Sequence, residues 1–210
     1  MPRAWWLRLI RRLVGTAWQP EGESPVKLVV GLGNPGPKYR GTRHNVGYDV
    51  IAELARRCNA GRPRNRFAGE TVDVALNGVR VLLLSPTTYM NRSGRSVAEA
   101  GGFFKLCPDD ILVVCDDLSL PLGKLRIRSK GSSGGHKGLE DIIRNLGTEN
   151  FPRLRVGIGS PPQGVDAAEY VLTRFSAEER EVIQGAVTRA CDAVTVWVVQ
   201  GIDACMNRYN

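Results

Sequence analysis

Three apolar runs in this sequence are each followed by polar side chains that could do chemistry. Leu28-Val29-Val30-Gly31 leads to Asn34, Tyr39 and His44, and Val81-Leu82-Leu83-Leu84 leads to Tyr89 and Asn91. Leu112-Val113-Val114-Cys115 leads to Asp116 and Asp117. A histidine near an aspartate, with amides around it, is the minimum set for activating water. The carboxylate fixes the imidazole tautomer and stabilises the cation that forms. Asparagine side chains can hold the water and donate to a developing oxyanion. No serine stands in a nucleophile-elbow context, so general-base hydrolysis is favoured over an acyl-enzyme. Taken singly, each residue has a plainer reading: a structural histidine, a turn at Asp116-Asp117, a helix start at Asn91. Their joint placement at three strand ends points to a site.

For those ends to converge, the three runs must be neighbouring strands of one sheet, with helices returning the chain between them. The pattern fits. Strand Lys27–Gly31 precedes a helix from about His44 to Arg57, apolar at Val46, Val50, Ile51 and Leu54. Glu70–Leu76 and Val79–Leu84 flank Asn77-Gly78, a hairpin signal. A helix follows from Ser93 to Leu106, then strands Ile111–Cys115 and Lys124–Arg128, a helix Gly138–Leu146 and a strand Arg153–Gly157. Ser176 caps one long final helix. This alternation predicts a three-layer α/β/α sandwich on a mixed, mostly parallel twisted sheet. Gly31-x-Gly33-x-x-Gly36 imitates a dinucleotide fingerprint, but Pro35 and Pro37 bracket the third glycine and the helix starts several residues later. The glycines are better read as letting backbone approach backbone.

The 210 residues divide into a basic amphipathic arm, residues 1–24, and one α/β domain, residues 25–210. In the arm, Arg8, Arg11 and Arg12 share one arc of a helical wheel, while Trp6, Ile10, Leu13 and Ala17 share another. The arm could lie on an anionic membrane, touch RNA or pack on its own domain, a flexible or surface-packed arm being the favoured reading. No apolar run approaches the ~20 residues of a membrane span. Five widely spaced cysteines without a CxxC indicate neither zinc nor a disulfide framework, and fit a reducing cytoplasm.

A net charge of +8 suggests a polyanionic partner. Lys124, Arg126, Arg128, Lys130 and Lys137 form a run without an acid, around the flexible loop Gly131–Gly135. Arg126 and Arg128 alternate with Leu125 and Ile127, and Arg153 and Arg155 do the same on the later strand. Paired cations of this kind suit phosphate oxygens, which position a nucleic acid without reading its sequence.

These residues resemble the bacterial-type peptidyl-tRNA hydrolases. The resemblance rests on Val30-Gly-Leu-Gly-Asn-Pro-Gly36, Tyr39, Thr42-Arg-His-Asn45, Pro86-Thr-Thr-Tyr-Met-Asn91, Asp116-Asp117, Gly134-Gly-His136 and Phe151-Pro-Arg-Leu-Arg-Val-Gly-Ile-Gly159. It runs in order from about Val26 to Asn210. It implies a monomeric cytoplasmic enzyme, without metal or cofactor, that cuts the ester between a peptide and the 3′ end of tRNA. His44 matches the family's base, Asp116 its supporting carboxylate, and Asn34 the residue that helps distinguish N-blocked from free aminoacyl-tRNA. Tyr39, Tyr89 and Asn91 match positions that hold the tRNA end and the substrate, with Met90 lining the same pocket. Arg128 and Arg155 match positions that grip the tRNA 5′-phosphate.

Two departures stand out. Lys137 occupies the position where the family has an asparagine that orients water. It keeps a donor, loses the acceptor, and is carried over as a binding residue. The arm has no counterpart in the family core. The rival readings are a catalytically inactive RNA-binding protein on the same fold, which would not need His44, and a membrane-surface protein acting through the arm.

Overall fold

The computed structural model describes residues 26–210; the expected arm lies outside the described residues. A seven-stranded sheet organises them. In chain order the elements are β1 (Lys27–Gly31), α1 (Val46–Arg57), β2 (Arg64–Arg66), β3 (Gly69–Leu76), β4 (Val79–Pro86) and α2 (Ser93–Phe103). There follow β5 (Ile111–Asp117), β6 (Leu125–Arg128), α3 (Lys137–Leu146), β7 (Arg153–Gly157), α4 (Ala167–Val171), α5 (Ala177–Gln200) and α6 (Ile202–Tyr209). The sheet order is β2-β3-β4-β1-β5-β7-β6. The central strands β4, β1, β5 and β7 are parallel, while the β2–β3, β3–β4 and β6–β7 pairs are antiparallel.

Strand periodicity divides the core between two faces. Val29, Val81, Leu83, Leu112 and Val114 pack with α1 and α5 through Val46, Val50, Ala190 and Val194. Leu28, Val30, Leu82, Leu84 and Val113 pack with α2 and α3 through Val97, Ala100, Leu139 and Ile142. Both faces of the parallel centre are therefore covered, which is why β1, β4 and β5 read as nearly continuous apolar runs. The expected sandwich is present.

The register brings the three strand ends level. Val30 lies opposite Leu84 on one side, and Gly31 opposite Val114 on the other. The glycines around this point serve close packing. A Cβ on Gly31 would lie 2.2 Å from the Gly47 carbonyl oxygen, and one on Gly47 would lie 2.4 Å from the Leu32 nitrogen. The β1–α1 crossing thus admits no side chain at either position.

Several boundaries differ from the sequence reading. His44 lies in a 3₁₀ turn, Arg43–Asn45, ahead of α1. The edge strand β2 and the short α4 carry no apolar periodicity by which to recognise them. The final helix is two helices, broken at Gly201 with φ +88°. Ser176 does cap α5, through a capping box with Glu179. By length and average composition α5 could cross a membrane. Instead it buries Ile183, Ala186, Ala190, Val194 and Trp197 in the core.

Candidate active site

His44 is held by the residues on either side of it. The Asn45 side chain receives the Asn34 backbone N–H at 2.9 Å and donates to the Asn34 carbonyl at 3.0 Å. Arg43 turns the other way. Its buried guanidinium donates to Glu179 at 2.6 Å, to Thr173 Oγ1 at 3.1 Å and to the Ile158 carbonyl at 3.2 Å. It also lies over the rings of Tyr170 and Phe175. The 3₁₀ turn is thereby tied to the end of β1 and to the segment joining β7 to α5. His44 itself is left with little freedom to reorient.

His44 Nδ1 lies 2.8 Å from Asp116 Oδ1 at the end of β5. Asp116 is buried, and burial alone would raise its carboxyl. The charges and hydrogen bonds of His136 and His44 outweigh this and hold the carboxyl well below the ordinary carboxylate range. With Asp116 ionised, the His44 proton resides on Nδ1 and the Nε2 lone pair is left to act as a base.

The sequence reading gives His136 no role of its own. Its Nε2 lies 3.0 Å from the same Asp116 oxygen. Its Nδ1 accepts the backbone N–H groups of Gly138 at 3.1 Å and Leu139 at 3.3 Å, capping α3. Those two N–H bonds place the His136 proton on Nε2, where it is donated to Asp116. Asp116 therefore receives an N–H from each histidine. His44, Asp116 and His136 also carry ligand-type atoms close enough together to suggest a cation site. Yet their facing atoms are already joined by hydrogen bonds at 2.8 and 3.0 Å. A cation would have to break both bonds, so the arrangement is that of one carboxylate holding two imidazoles.

Asn34 comes from the loop after β1. Its Oδ1 accepts the Met90 backbone N–H at 2.8 Å, linking the β1 and β4 ends. That bond fixes the amide orientation, with Oδ1 engaged and Nδ2, a pure donor, on the other side. Met90 is a buried core residue, and Asn91 beside it is exposed. Tyr39 and Tyr89 meet edge to face with ring centroids 6.4 Å apart, Tyr89 being largely exposed. The three strand ends thus converge as expected from the sequence.

The peptidyl-tRNA hydrolase family model matches residues 28–210 of the chain. The peptidyl-tRNA hydrolase of Rhodopirellula baltica is 50% identical over 185 residues, covering 88% of this chain and 97% of that one. That of Chloroflexus aggregans is 48% identical over 184 residues, covering 87% and 98%. The crystal structure of the Acinetobacter baumannii enzyme superposes with a TM-score of 0.83 at 36% identity, covering 91% and 97%. The chain belongs to the peptidyl-tRNA hydrolase family.

Within this peptidyl-tRNA hydrolase fold, the expected cation track divides. Lys124, Arg126, Arg128 and Lys130 are exposed on and around β6. The β6–β7 register sets Arg126 against Arg155 and Arg128 against Arg153. Arg155 is half-buried with Nε 2.9 Å from Asp117 Oδ2, an ion pair whose N–H is not aligned for a hydrogen bond. Asp117 also accepts from Ser119 N and Oγ, so it closes the turn after β5. Arg153 is fully buried and cannot be a surface cation, contrary to the paired-cation reading of β7. Lys137 is exposed at the start of α3 and pairs with Glu140 at 3.1 Å.

A cleft of about 600 Å³ opens between α1, β3, β4 and the loop after β1. Asn34 and Asn45 touch it, but neither His44 nor Asp116 lines it. The Tyr48 ring, packed against Gly33 and hydrogen-bonded to the Pro86 carbonyl, is part of its wall. The cleft thus adjoins the His44–Asp116 pair through Asn34 and Asn45.

Proposed function

We propose that the protein hydrolyses the ester joining a peptide, or an N-blocked aminoacyl group, to the 3′ end of tRNA, releasing free tRNA for reuse. The observation that carries this reading is the fixed His44–Asp116 pair, set beside Asn34 at converging strand ends, in a chain of this family. Water attacks the ester carbonyl while Nε2 of His44 takes its proton. Asp116 stabilises the imidazolium so formed. The tetrahedral oxyanion is met by amide donors, among them Asn34 Nδ2. Collapse expels the ribose oxygen, which regains a proton from the imidazolium, and base and water are restored. An ester needs less help for its leaving group than an amide, so one base with amide donors is sufficient.

Tyr39, Tyr89, Met90 and Asn91 are assigned to the tRNA end and the substrate. Arg128, Arg155 and Lys137 are assigned to phosphates of the acceptor stem. The exposure of Arg128 and Lys137 supports this, whereas Arg155 must exchange or share its Asp117 partner. We assign the enzyme to the cytoplasm as a monomer, the setting in which it would meet stalled peptidyl-tRNA. The test is hydrolysis of an N-acetyl-aminoacyl-tRNA alongside the free aminoacyl-tRNA. Release of tRNA from the blocked substrate alone is expected, and salt-sensitive tRNA binding without release would favour the RNA-binding alternative.

A further inference from the structure

Arg153 is 2% exposed, and the bonds of its guanidinium run to main-chain oxygens. Nη1 donates to the carbonyl oxygens of Gly131 and Ser132, the latter at 3.0 Å. Nη2 donates to those of Glu149 at 2.8 Å and Phe151 at 3.4 Å. The group lies 4.3 Å from the centroid of the buried Phe151 ring. A planar fork can serve four carbonyls from one position, which an ammonium cannot.

What the fork holds is the loop that delivers His136. Gly131, Gly134 and Gly135 all have positive φ, at +146°, +57° and +83°. Three glycines give this loop a large conformational freedom to lose on folding. Among the described residues, few main-chain bonds tie it down: Gly131 N to Glu149 O at 3.3 Å, and His136 N to Ser133 O at 3.1 Å. Arg153 bonds to the first two residues of the loop and to the segment that follows α3, closing the two together. The strand that carries Arg153, β7, pairs with β5, the strand that carries Asp116. The loop's anchor and the carboxylate that receives His136 are thus fixed to adjacent strands.

We propose that Arg153 is a positioning residue for the hydrolysis: its buried guanidinium clamps the Gly131–Gly135 loop so that His136 meets Asp116 and, through it, orients His44. The proposal rests on the reading in which His44 and Asp116 activate water. Arg153 touches neither tRNA nor the ester, so its removal acts on turnover and leaves tRNA affinity in place. This separates it from Arg155, two residues along the same strand.

The experiment has two arms. In the first, kcat and the Kd for deacylated tRNA are measured for wild type, Arg153→Met, His136→Ala and the double variant. Arg153→Met should lower kcat by about 10- to 100-fold, as expected for misplacement of a catalytic group by a fraction of an ångström to one ångström. Its Kd should change by less than about twofold, and the double variant should be no slower than His136→Ala. Losses that multiply in the double variant, or a weakened Kd with kcat retained, would overturn the proposal. The second arm reads the ¹⁵N imidazole resonances of His136, which do not depend on activity. Wild type should show Nδ1 as the acceptor nitrogen and Nε2 as the protonated one, and Arg153→Met should lose that distinction. Unchanged resonances would also overturn it. Should Arg153→Met fail to fold, Arg153→Lys serves in both arms, with smaller changes of the same kind. A wild type that hydrolyses nothing would remove the proposed function while the resonances still decide whether Arg153 sets His136.

Discussion

The Nε2–H of His136 is directed at Oδ1 of Asp116, 3.0 Å away, the same oxygen that receives Nδ1 of His44 at 2.8 Å. One buried carboxylate oxygen thereby fixes both rings, and α3, through its capping histidine, becomes part of the support for the base. Asp116→Asn keeps the shape but cannot offer an anionic acceptor to two N–H groups. We expect kcat to fall by about 10²- to 10⁴-fold, the range for an aspartate that sets a histidine tautomer.

The same carboxylate should leave a mark on stability. Its pKa is depressed in the folded protein, so its contribution is present above the unfolded carboxyl value and is lost as pH falls through the folded one. Denaturant unfolding should therefore show Asp116→Asn destabilised by about 1–3 kcal/mol at pH 7. The gap should narrow under strong acid.

Asn45 sits on the other side of the base. Its amide satisfies both backbone groups of Asn34, while the Asn34 side chain carries the Met90 N–H. Asn45→Ala leaves a buried N–H and a buried C=O without partners, at a cost of about 1–3 kcal/mol. Turnover should fall with it, since Asn34 loses the contacts that aim Nδ2. Urea midpoints and kcat measured on the same preparations check both.

Asp49 lines the cleft beside α1, where burial pushes its carboxyl up to about 6, with Arg180 pulling it partly back. A raised folded pKa means that the folded state binds the extra proton between about pH 4 and pH 6, so this group's contribution to stability falls as pH rises through that window. Asp49→Asn should raise stability by about 1–2 kcal/mol at pH 7.5, allowing for partial exposure, and change it little at pH 4. Thermal melts at the two pH values decide it.

The cations assigned to phosphate should govern affinity rather than chemistry. Arg128→Ala and Arg155→Ala should each weaken tRNA binding and flatten its dependence on salt by about one unit in the log–log slope, with kcat nearly unchanged. Lys137→Asn, which removes an exposed cation, should weaken low-salt binding slightly. Binding titrations across a salt series measure all three.

The sequence shows the strand ends clearly because β1, β4 and β5 are buried on both faces and therefore run apolar until they reach the site. The point where each run stops is where Asn34, Met90 and Asp116 stand. His136 is harder to read: its three ring hydrogen bonds depend on a glycine loop whose path is set by Arg153, more than fifteen residues further along the chain. Arg153 itself alternates with leucine and valine like a surface cation, and only the register with β5 and the packing on Phe151 show it to be buried. Edge strand β2 is too short and too polar to announce itself.

The most direct test of the account is single-turnover hydrolysis of N-acetyl-aminoacyl-tRNA by wild type and His44→Ala, with tRNA binding measured beside it. The account predicts release of free tRNA by wild type, and a His44→Ala variant that binds tRNA with unchanged affinity but releases it at least about 10³-fold more slowly. Hydrolysis by His44→Ala at the wild-type rate would contradict the assignment of His44 as the base.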